Sequence, residues 1–237
     1  DSDVLVVAGC GIHNAGSKRS RHDGIHEFIL RRNSRMRYVE RHYGEGEGTG
    51  ERVLNPKTVL HLEPGAVAEL ELVQIKGVDS SVRETKASVG SKAKLIISER
   101  LLTHGDQRAD SRIEVELSGN EASAEVLARS VAQDRSVQVF RASLIGKARA
   151  RGHVACDSII MDRAEIRSLP ELQALHAEAE LTHEAAIGRL AGEQLIKLMS
   201  LGLTEEEAVQ VILSGFLGKK DMGLYRRSRS GDLAVST

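Results

Sequence analysis

The 237-residue sequence contains few cysteines, few aromatic residues and no tryptophan. Its two cysteines, Cys10 and Cys156, are far apart and neither belongs to a C-x-x-C pair. This usage excludes a secreted disulfide framework and a zinc-ribbon spacing, and it favours a reduced, cytoplasmic setting. Aromatic residues make up 3% of the chain, too few for the stacking platforms that bind single-stranded nucleic acid.

Long apolar runs and a strong net charge are also missing. No run approaches the ~20 residues needed to span a bilayer, and the formal net charge is −1. The opening DSDVLVVAGCG is acidic, whereas a signal peptide begins with basic residues. We therefore expect neither a membrane span nor a nucleic-acid partner. The phosphate-binding motif G-x-x-x-x-G-K-[ST] does not occur, so any ATP hydrolysis is expected from a partner.

Glycine is abundant, and four of the 22 glycines open segments that repeat along the chain. The segments begin at Gly65, Gly90, Gly119 and Gly152, and each carries an alanine three positions later. A short alternating strand in each unit, with polar turns between units at such a period, is typical of a β-solenoid. We therefore predict a mainly β fold, a right-handed parallel β-helix over residues 1–180.

Alternation within these segments assigns side chains to the two faces of each strand. If Ala68 points inward, Glu69 points outward, and the same register places Cys156 outward. Asp157 then occupies an inward position, which is normally apolar, so either the register slips there or a polar partner holds Asp157. We therefore predict an accessible thiol at Cys156; the alternative is a buried cysteine that packs as a small hydrophobic residue.

Beyond residue 180 the hydrophobic period changes from that of strands to that of helices. Thr182 is predicted to cap a first helix that begins at His183 or Glu184 and ends near Leu201. The pattern predicts an α-helical C-terminal subdomain over 181–217. The last segment, 218–237, has no regular period and is predicted to be disordered.

A second helix is indicated by Thr204 and Glu207, which have the spacing of a capping box. Two short helices cannot bury their apolar faces alone, so they are expected to dock on the solenoid, on each other or on a partner. The apolar face of the second helix is predicted to be exposed for such a partner; it comprises Ala208, Val209, Ile212, Leu213, Phe216 and Leu217.

The C-terminal part resembles a known family. CDSIIMD, from Cys156, and LTHEAAIGRLAGEQLIKLMSLGLTEEEAVQVILSGFL, from Leu181, are similar to the end of the SufB/SufD family, the β-helical scaffold components of an iron–sulfur cluster assembly system. The likeness extends upstream through GTGERVLNPKTVLHLEPGAVAELELV and SRHDGIHEFILRRNSRMRYVE, and so covers most of residues 1–217. Family members usually carry a further N-terminal region, so the chain resembles a short form or a fragment.

The resemblance implies a site. Cys156 matches the cysteine that the SufB branch uses where clusters form, and His183 and Glu184 match the His-Glu pair at the start of the family's last helix. A thiolate, an imidazole and a carboxylate are suitable ligands for iron in a transient iron–sulfur cluster. The SufB branch also uses a second cysteine within the β-helix, whereas residues 11–155 contain none. A SufB-like and a SufD-like role therefore both stay open, and Cys10 is either a family cysteine or a structural one.

The function implied by the resemblance is that of a scaffold and not of an enzyme. The implied partners are a SufC-like ABC ATPase bound to the C-terminal helices, a second copy or a SufB/SufD-like paralogue in a dimer, and acceptor apoproteins. Two alternatives come from other classes of protein. A polysaccharide lyase also uses a β-helix, but its sugar cleft needs aromatic platforms. An architectural β-solenoid oligomerisation module needs no cluster chemistry, and Cys156 is then incidental.

Overall fold

Most of the chain before residue 190 is β-strand in the computed structural model, which describes residues 2–190 and 192–218. The predicted disordered tail lies outside the described residues except for Gly218. The strands are β1 (Asp3–His13), β2 (Ser20–Leu30), β3 (Arg35–Glu45), β4 (Arg52–Leu62), β5 (Val67–Lys76), β6 (Ser80–Val89), β7 (Lys94–Thr103), β8 (Arg108–Leu117), β9 (Ser123–Ala132), β10 (Val137–Gly146), β11 (Arg151–Ile160), β12 (Glu165–Ala174) and β13 (Glu180–Arg189). Two helices follow, α1 (Gly192–Ser200) and α2 (Glu205–Leu217).

Successive strands alternate between two sheets. The seven odd-numbered strands form one sheet in the order β1-β3-β5-β7-β9-β11-β13, and the six even-numbered strands form the other in the order β12-β10-β8-β6-β4-β2. Every pair of neighbouring strands is parallel; in the odd sheet, for example, Val67 pairs with Lys94 and Lys94 with Ser123. Each coil of the chain thus adds one strand to each sheet. The predicted parallel β-solenoid is confirmed.

The core lies between the two sheets and is built from side chains of alternate residues. Leu70, Leu95 and Val126 are fully or almost fully buried there, as are Leu117 and Leu144 of the even sheet. Because aliphatic side chains of each coil pack on those of the next, the core extends along the solenoid without large aromatic residues. The scarcity of aromatic residues in the sequence is consistent with this arrangement.

The four repeat alanines are all buried, but they do not occupy one register position. Ala68 aligns through the odd sheet with Leu95, Ala124 and Gly152. Gly152 lies inside strand β11, whereas Gly65 lies in a turn with φ of +75°. Counting from the glycine therefore shifted the expected register in the last unit.

This shift changes the predicted face of Cys156. The cysteine aligns with Ala128, Glu99 and Leu72, all on the inward side of the odd sheet, and it is 3% exposed. The prediction of an outward Cys156 is wrong, and the alternative of a buried cysteine is correct. Asp157 takes the outward position, so no inward aspartate needs a partner.

The predicted first helix is also partly wrong. Thr182, His183 and Glu184 belong to β13, which pairs with β11 from Arg151–Glu180 to Ile160–Arg189. The open edge of β11 offers a row of hydrogen-bonding groups, and pairing with that edge overrides the local helical pattern. The helical part therefore begins at Gly192 and not near 181.

The capping box of the second helix is confirmed. The Thr204 side chain accepts a hydrogen bond from the Glu207 amide, and the Glu207 carboxylate accepts one from the Thr204 amide. Leu213 and Leu217 are fully buried against Val73 and Leu102 on the outer face of the odd sheet. The prediction that the whole apolar face of α2 is exposed is therefore wrong. Within the described residues no helix has the length and apolar character of a membrane span.

Candidate functional site

Cys156 lies near the C-terminal end of the solenoid, one strand below the last strand of the odd sheet. Its side chain packs in the core, with Sγ 3.7 Å from Oγ of Ser158. A cavity of about 10 Å³, lined in part by Glu99, Ser111 and Cys156, lies on the inner side. It has room for roughly one water-sized molecule. The thiol therefore borders polar groups as well as aliphatic ones.

His183 lies on the same inner side of the odd sheet as Cys156. It pairs in register with Val154, which is buried in the core, and Leu181 two residues earlier also packs against the core. Because β13 is the last strand of its sheet, the His183 side chain is nevertheless exposed. A thiol and an imidazole thus come from neighbouring strands on one side of the sheet.

Glu184 lies on the opposite, outer face. It pairs in register with Ala155, and its Oε1 is 3.6 Å from Nε2 of His153. Nδ1 of His153 is 2.9 Å from the hydroxyl oxygen of Thr182. The structure therefore brings His183 toward the side of Cys156 and places Glu184 on the other side. His153 was missed by the sequence reasoning, although its outward position follows once Cys156 is known to point inward.

The C-terminal end of the solenoid is open within the described residues. There β13 pairs with β11 alone and β12 pairs with β10 alone, so each has one free edge. Inner side chains of these two strands are partly or fully exposed, including Ile187 at 41%. A free strand edge beside exposed apolar side chains is suited to pairing with another chain.

Comparison with known proteins agrees with this architecture. The SUF system FeS cluster assembly SufBD core domain matches residues 1–216. The chain belongs to the SufBD family. A SufBD family protein of Methanothermobacter thermautotrophicus is 30% identical over 228 residues, and one of Archaeoglobus fulgidus is 28% identical over 225 residues.

These two relatives, described as iron–sulfur cluster assembly SufBD family proteins, are longer than the chain. The matches cover 94% of the chain in both cases, but 54% of the Methanothermobacter protein and 59% of the Archaeoglobus protein. The SufB protein of Bacillus subtilis is 39% identical over 69 residues, which are 29% of the chain and 15% of that protein. The chain thus spans about half the length of its SufBD relatives.

A charged cluster that the sequence reasoning missed lies inside the first coils of this SufBD chain. Arg83 of β6 donates to Oε2 of Glu40 at 2.6 Å and contacts Oε1 of Glu99 at 3.2 Å. Its Nη2 also donates to Nδ1 of His42 at 2.7 Å. The Tyr38 hydroxyl donates to Oε1 of Glu40 at 2.9 Å. A guanidinium of the even sheet thus contacts three side chains of the odd sheet across the core.

Burial and these contacts determine the protonation of the cluster. Burial acts to raise the pKa of Glu40, but the contacts with His42 and Arg83 outweigh it and lower that pKa to about 2. Burial, together with the Arg83 charge, lowers the pKa of His42 to about 4. Burial raises the pKa of Glu99. At neutral pH the Glu40 carboxylate is therefore ionised and the His42 imidazole is neutral.

A signal for this cluster is present in the sequence. Met36, Tyr38, Glu40 and His42 alternate along β3, so the inward face that begins with two core residues continues with an acid and an imidazole. A carboxylate at an inward position has to meet a cationic partner, because an unpaired buried charge is strongly unfavourable. Sequence alone could not name Arg83, which lies on the facing sheet.

Proposed function

We propose that the chain acts as part of a scaffold on which iron–sulfur clusters are assembled transiently before transfer to acceptor apoproteins. The observation that carries the proposal is the placement of Cys156 and His183 on one side of adjacent strands at the open end of the solenoid. Sulfur and nitrogen donors of this kind bind iron in cluster sites. Membership of the SufBD family supports the same chemistry.

The proposed access to the buried thiol is across β13. The register neighbour of Cys156 on that strand is Ala185, whose side chain is a single methyl group. Beyond β13 the described structure adds no further strand to the odd sheet. Iron or sulfide that arrives at the open end therefore has one strand to pass, and its residue in register with Cys156 is small.

A second subunit is proposed to complete the site. Cys156 and His183 supply two ligands, fewer than the four cysteine or histidine ligands usual for such clusters. The free edges of β12 and β13 offer a surface for a second copy or a SufB/SufD-like paralogue. Glu184 lies on the outer face, so its proposed part is at the rim of such an interface and not beside its own Cys156.

The proposed function is tested by anaerobic reconstitution of the purified chain with ferrous iron and sulfide. A scaffold is expected to develop the broad visible absorbance of an iron–sulfur cluster and to retain it through desalting. An architectural β-solenoid module is expected to show none. Absence of retained iron and sulfide in a folded dimeric sample would reject the scaffold function and leave the architectural one.

We also propose that α1 contributes to the docking surface of a SufC-like ATPase. None of the α1 side chains is buried, and Ile196 and Met199, one helical turn apart, are 66% and 43% exposed. Exposed apolar side chains on one helix are typical of an interface. Leu213 and Leu217 of α2 are buried against the solenoid and are therefore not available to the ATPase.

Replacing Ile196 with aspartate is expected to weaken ATPase binding by about tenfold or more, as for an interface anchor. The matched control is Ile25→Asp, because Ile25 on β2 is 72% exposed but lies in the first coil. Titration calorimetry with the ATPase subunit measures both affinities. Equal affinity of the Ile196 variant and the parent would place the ATPase elsewhere.

A further inference from the structure

The interior of the first coil holds a second group of metal-binding side chains, far along the chain from Cys156. Cys10 of β1 pairs in register with His42 of β3, and Glu40 precedes His42 by two residues on the same inward face. One ligand atom of each residue lies within 4.8 Å of those of the other two. We propose that Cys10, Glu40 and His42 form a buried site for a divalent transition metal ion such as Zn²⁺ or Fe²⁺.

The first support for the site is the state of the His42 ring. Arg83 donates to Nδ1, so the ring proton is on Nε2. Nε2 lies 3.2 Å from Oε1 of Glu40, but within the described residues this contact does not have the geometry of a hydrogen bond. His42 is 2% exposed. A buried imidazole that has ligand atoms of a carboxylate and a thiol within 4.8 Å is suited to a metal ion.

The second support is the kind of ligand. A thiolate, an imidazole and a carboxylate together favour borderline ions such as Zn²⁺ and Fe²⁺, whereas Mg²⁺ and Ca²⁺ prefer oxygen ligands. Zinc ligands lie about 2.0–2.3 Å from the ion. The three side chains therefore have to move closer together as the ion binds. Cys10 is partly exposed, so the ion is proposed to enter from its side.

The third support is the balance of charge in the core. Around this site Glu40 and Glu99 share the single guanidinium of Arg83. With Cys10 as a thiolate, the two carboxylates and the sulfur are balanced by Arg83 and a divalent ion. A buried cluster without net charge avoids much of the cost of desolvating an uncompensated charge.

Binding requires defined proton movements. The Cys10 thiol releases its proton to solvent, and sulfur forms a bond to the metal. The ring proton of His42 moves from Nε2 to Nδ1, which leaves the Nε2 lone pair for the ion. Arg83 then gives up its contact with Nδ1 while it keeps Glu40 and Glu99.

The site is tested with Co²⁺ as an optical substitute for Zn²⁺, in the full chain carrying Cys156→Ser so that Cys10 is the remaining thiol. We expect one equivalent of Co²⁺ to give a thiolate-to-cobalt charge-transfer band that Zn²⁺ removes by competition. Separate titrations with Zn²⁺ and Fe²⁺ decide which ion binds more tightly. Mg²⁺ is expected to have no effect.

Cys10→Ser is expected to remove the band and to weaken Zn²⁺ binding by more than about tenfold, since even residues that only support metal ligands have effects of that size. His42→Gln is expected to weaken Zn²⁺ binding in the same way while its amide oxygen still accepts from Arg83. If circular dichroism shows that Cys10→Ser does not fold, the Zn²⁺ affinity of the His42→Gln variant decides whether the site exists. No band in the Cys156→Ser chain, or unchanged Zn²⁺ affinity in a folded variant, would overturn the proposal. Failure of the cluster reconstitution alone would not overturn this proposal, because the Co²⁺ titration uses no sulfide.

Discussion

Cys156→Ser is expected to reduce retained sulfide, and the cluster iron bound with it, to near background after anaerobic reconstitution. A hydroxyl is a poor ligand for iron in a sulfur-rich site, and Cys156 is the thiol at the open end of the solenoid. Because the side chain is buried, the substitution is also expected to lower the free energy of unfolding by about 1–3 kcal/mol. The hydroxyl of Ser158 lies 3.7 Å from Sγ and offers the new serine a hydrogen-bond partner. The loss of stability is therefore expected at the lower end of this range.

The control is Cys10→Ser, which removes a thiol in the first coil. It is expected to leave the sulfide-dependent visible absorbance unchanged, since the site proposed around Cys10 takes a bare metal ion and no sulfide. Absorbance spectra and iron and sulfide analysis, normalised to folded protein, provide the comparison. If the Cys156 variant retains as much iron and sulfide as the parent, Cys156 is only a core residue and the cluster site is elsewhere.

Arg83→Met is expected to have the largest effect on stability, lowering the free energy of unfolding by about 3–5 kcal/mol. The substitution keeps a similar side-chain volume but removes the cation that lies 2.6 Å from Glu40 and 3.2 Å from Glu99. Two buried carboxyl groups then lose their counter-charge, which low-dielectric surroundings make costly. Chemical denaturation measured by circular dichroism reports the change.

Two further variants test whether uncompensated buried charge causes the loss of stability in Arg83→Met. Adding Glu40→Gln to Arg83→Met is expected to recover part of the lost stability, because one of the uncompensated charges is removed. Lys86→Met, which breaks an exposed contact of 3.3 Å with Glu114, is expected to change stability little. The buried-pair explanation would be excluded if the Arg83 and Lys86 variants were equally stable.

Several strands could be predicted because their residues alternate between apolar and polar. The alternating segments VRETKASV and SRIEVEL lie in β6 and β8, and GIHEFILRRNSRMRYVE forms parts of β2 and β3. The capping box at Thr204 and Glu207 is equally local, since both of its hydrogen bonds are made within one helical turn. Such features depend on neighbouring residues and are therefore visible in the sequence.

The face on which Cys156 lies depends on the strand register, and the secondary structure at His183 depends on a partner strand. A shift by an odd number of residues between the glycine and the strand reverses inside and outside, because the side-chain period of a strand is two. Gly152 aligns with Ala68 and so lies three register positions beyond Gly65, which places Cys156 inward. In the same way, the free edge of β11 recruits His183 and Glu184 into a strand where the local pattern indicated a helix.

By itself the sequence determined that this SufBD chain is a solenoid of short strands with a helical C-terminus, because alternation, turn residues and caps are local properties of the chain. It also named Cys156, His183 and Glu184, although their role as cluster ligands stays a prediction. Only the tertiary structure decided that Cys156 and His183 share one side of the sheet while Glu184 takes the other. It alone placed Arg83 between Glu40 and Glu99, because contacts across the core depend on how coils stack and not on the spacing of residues along the chain.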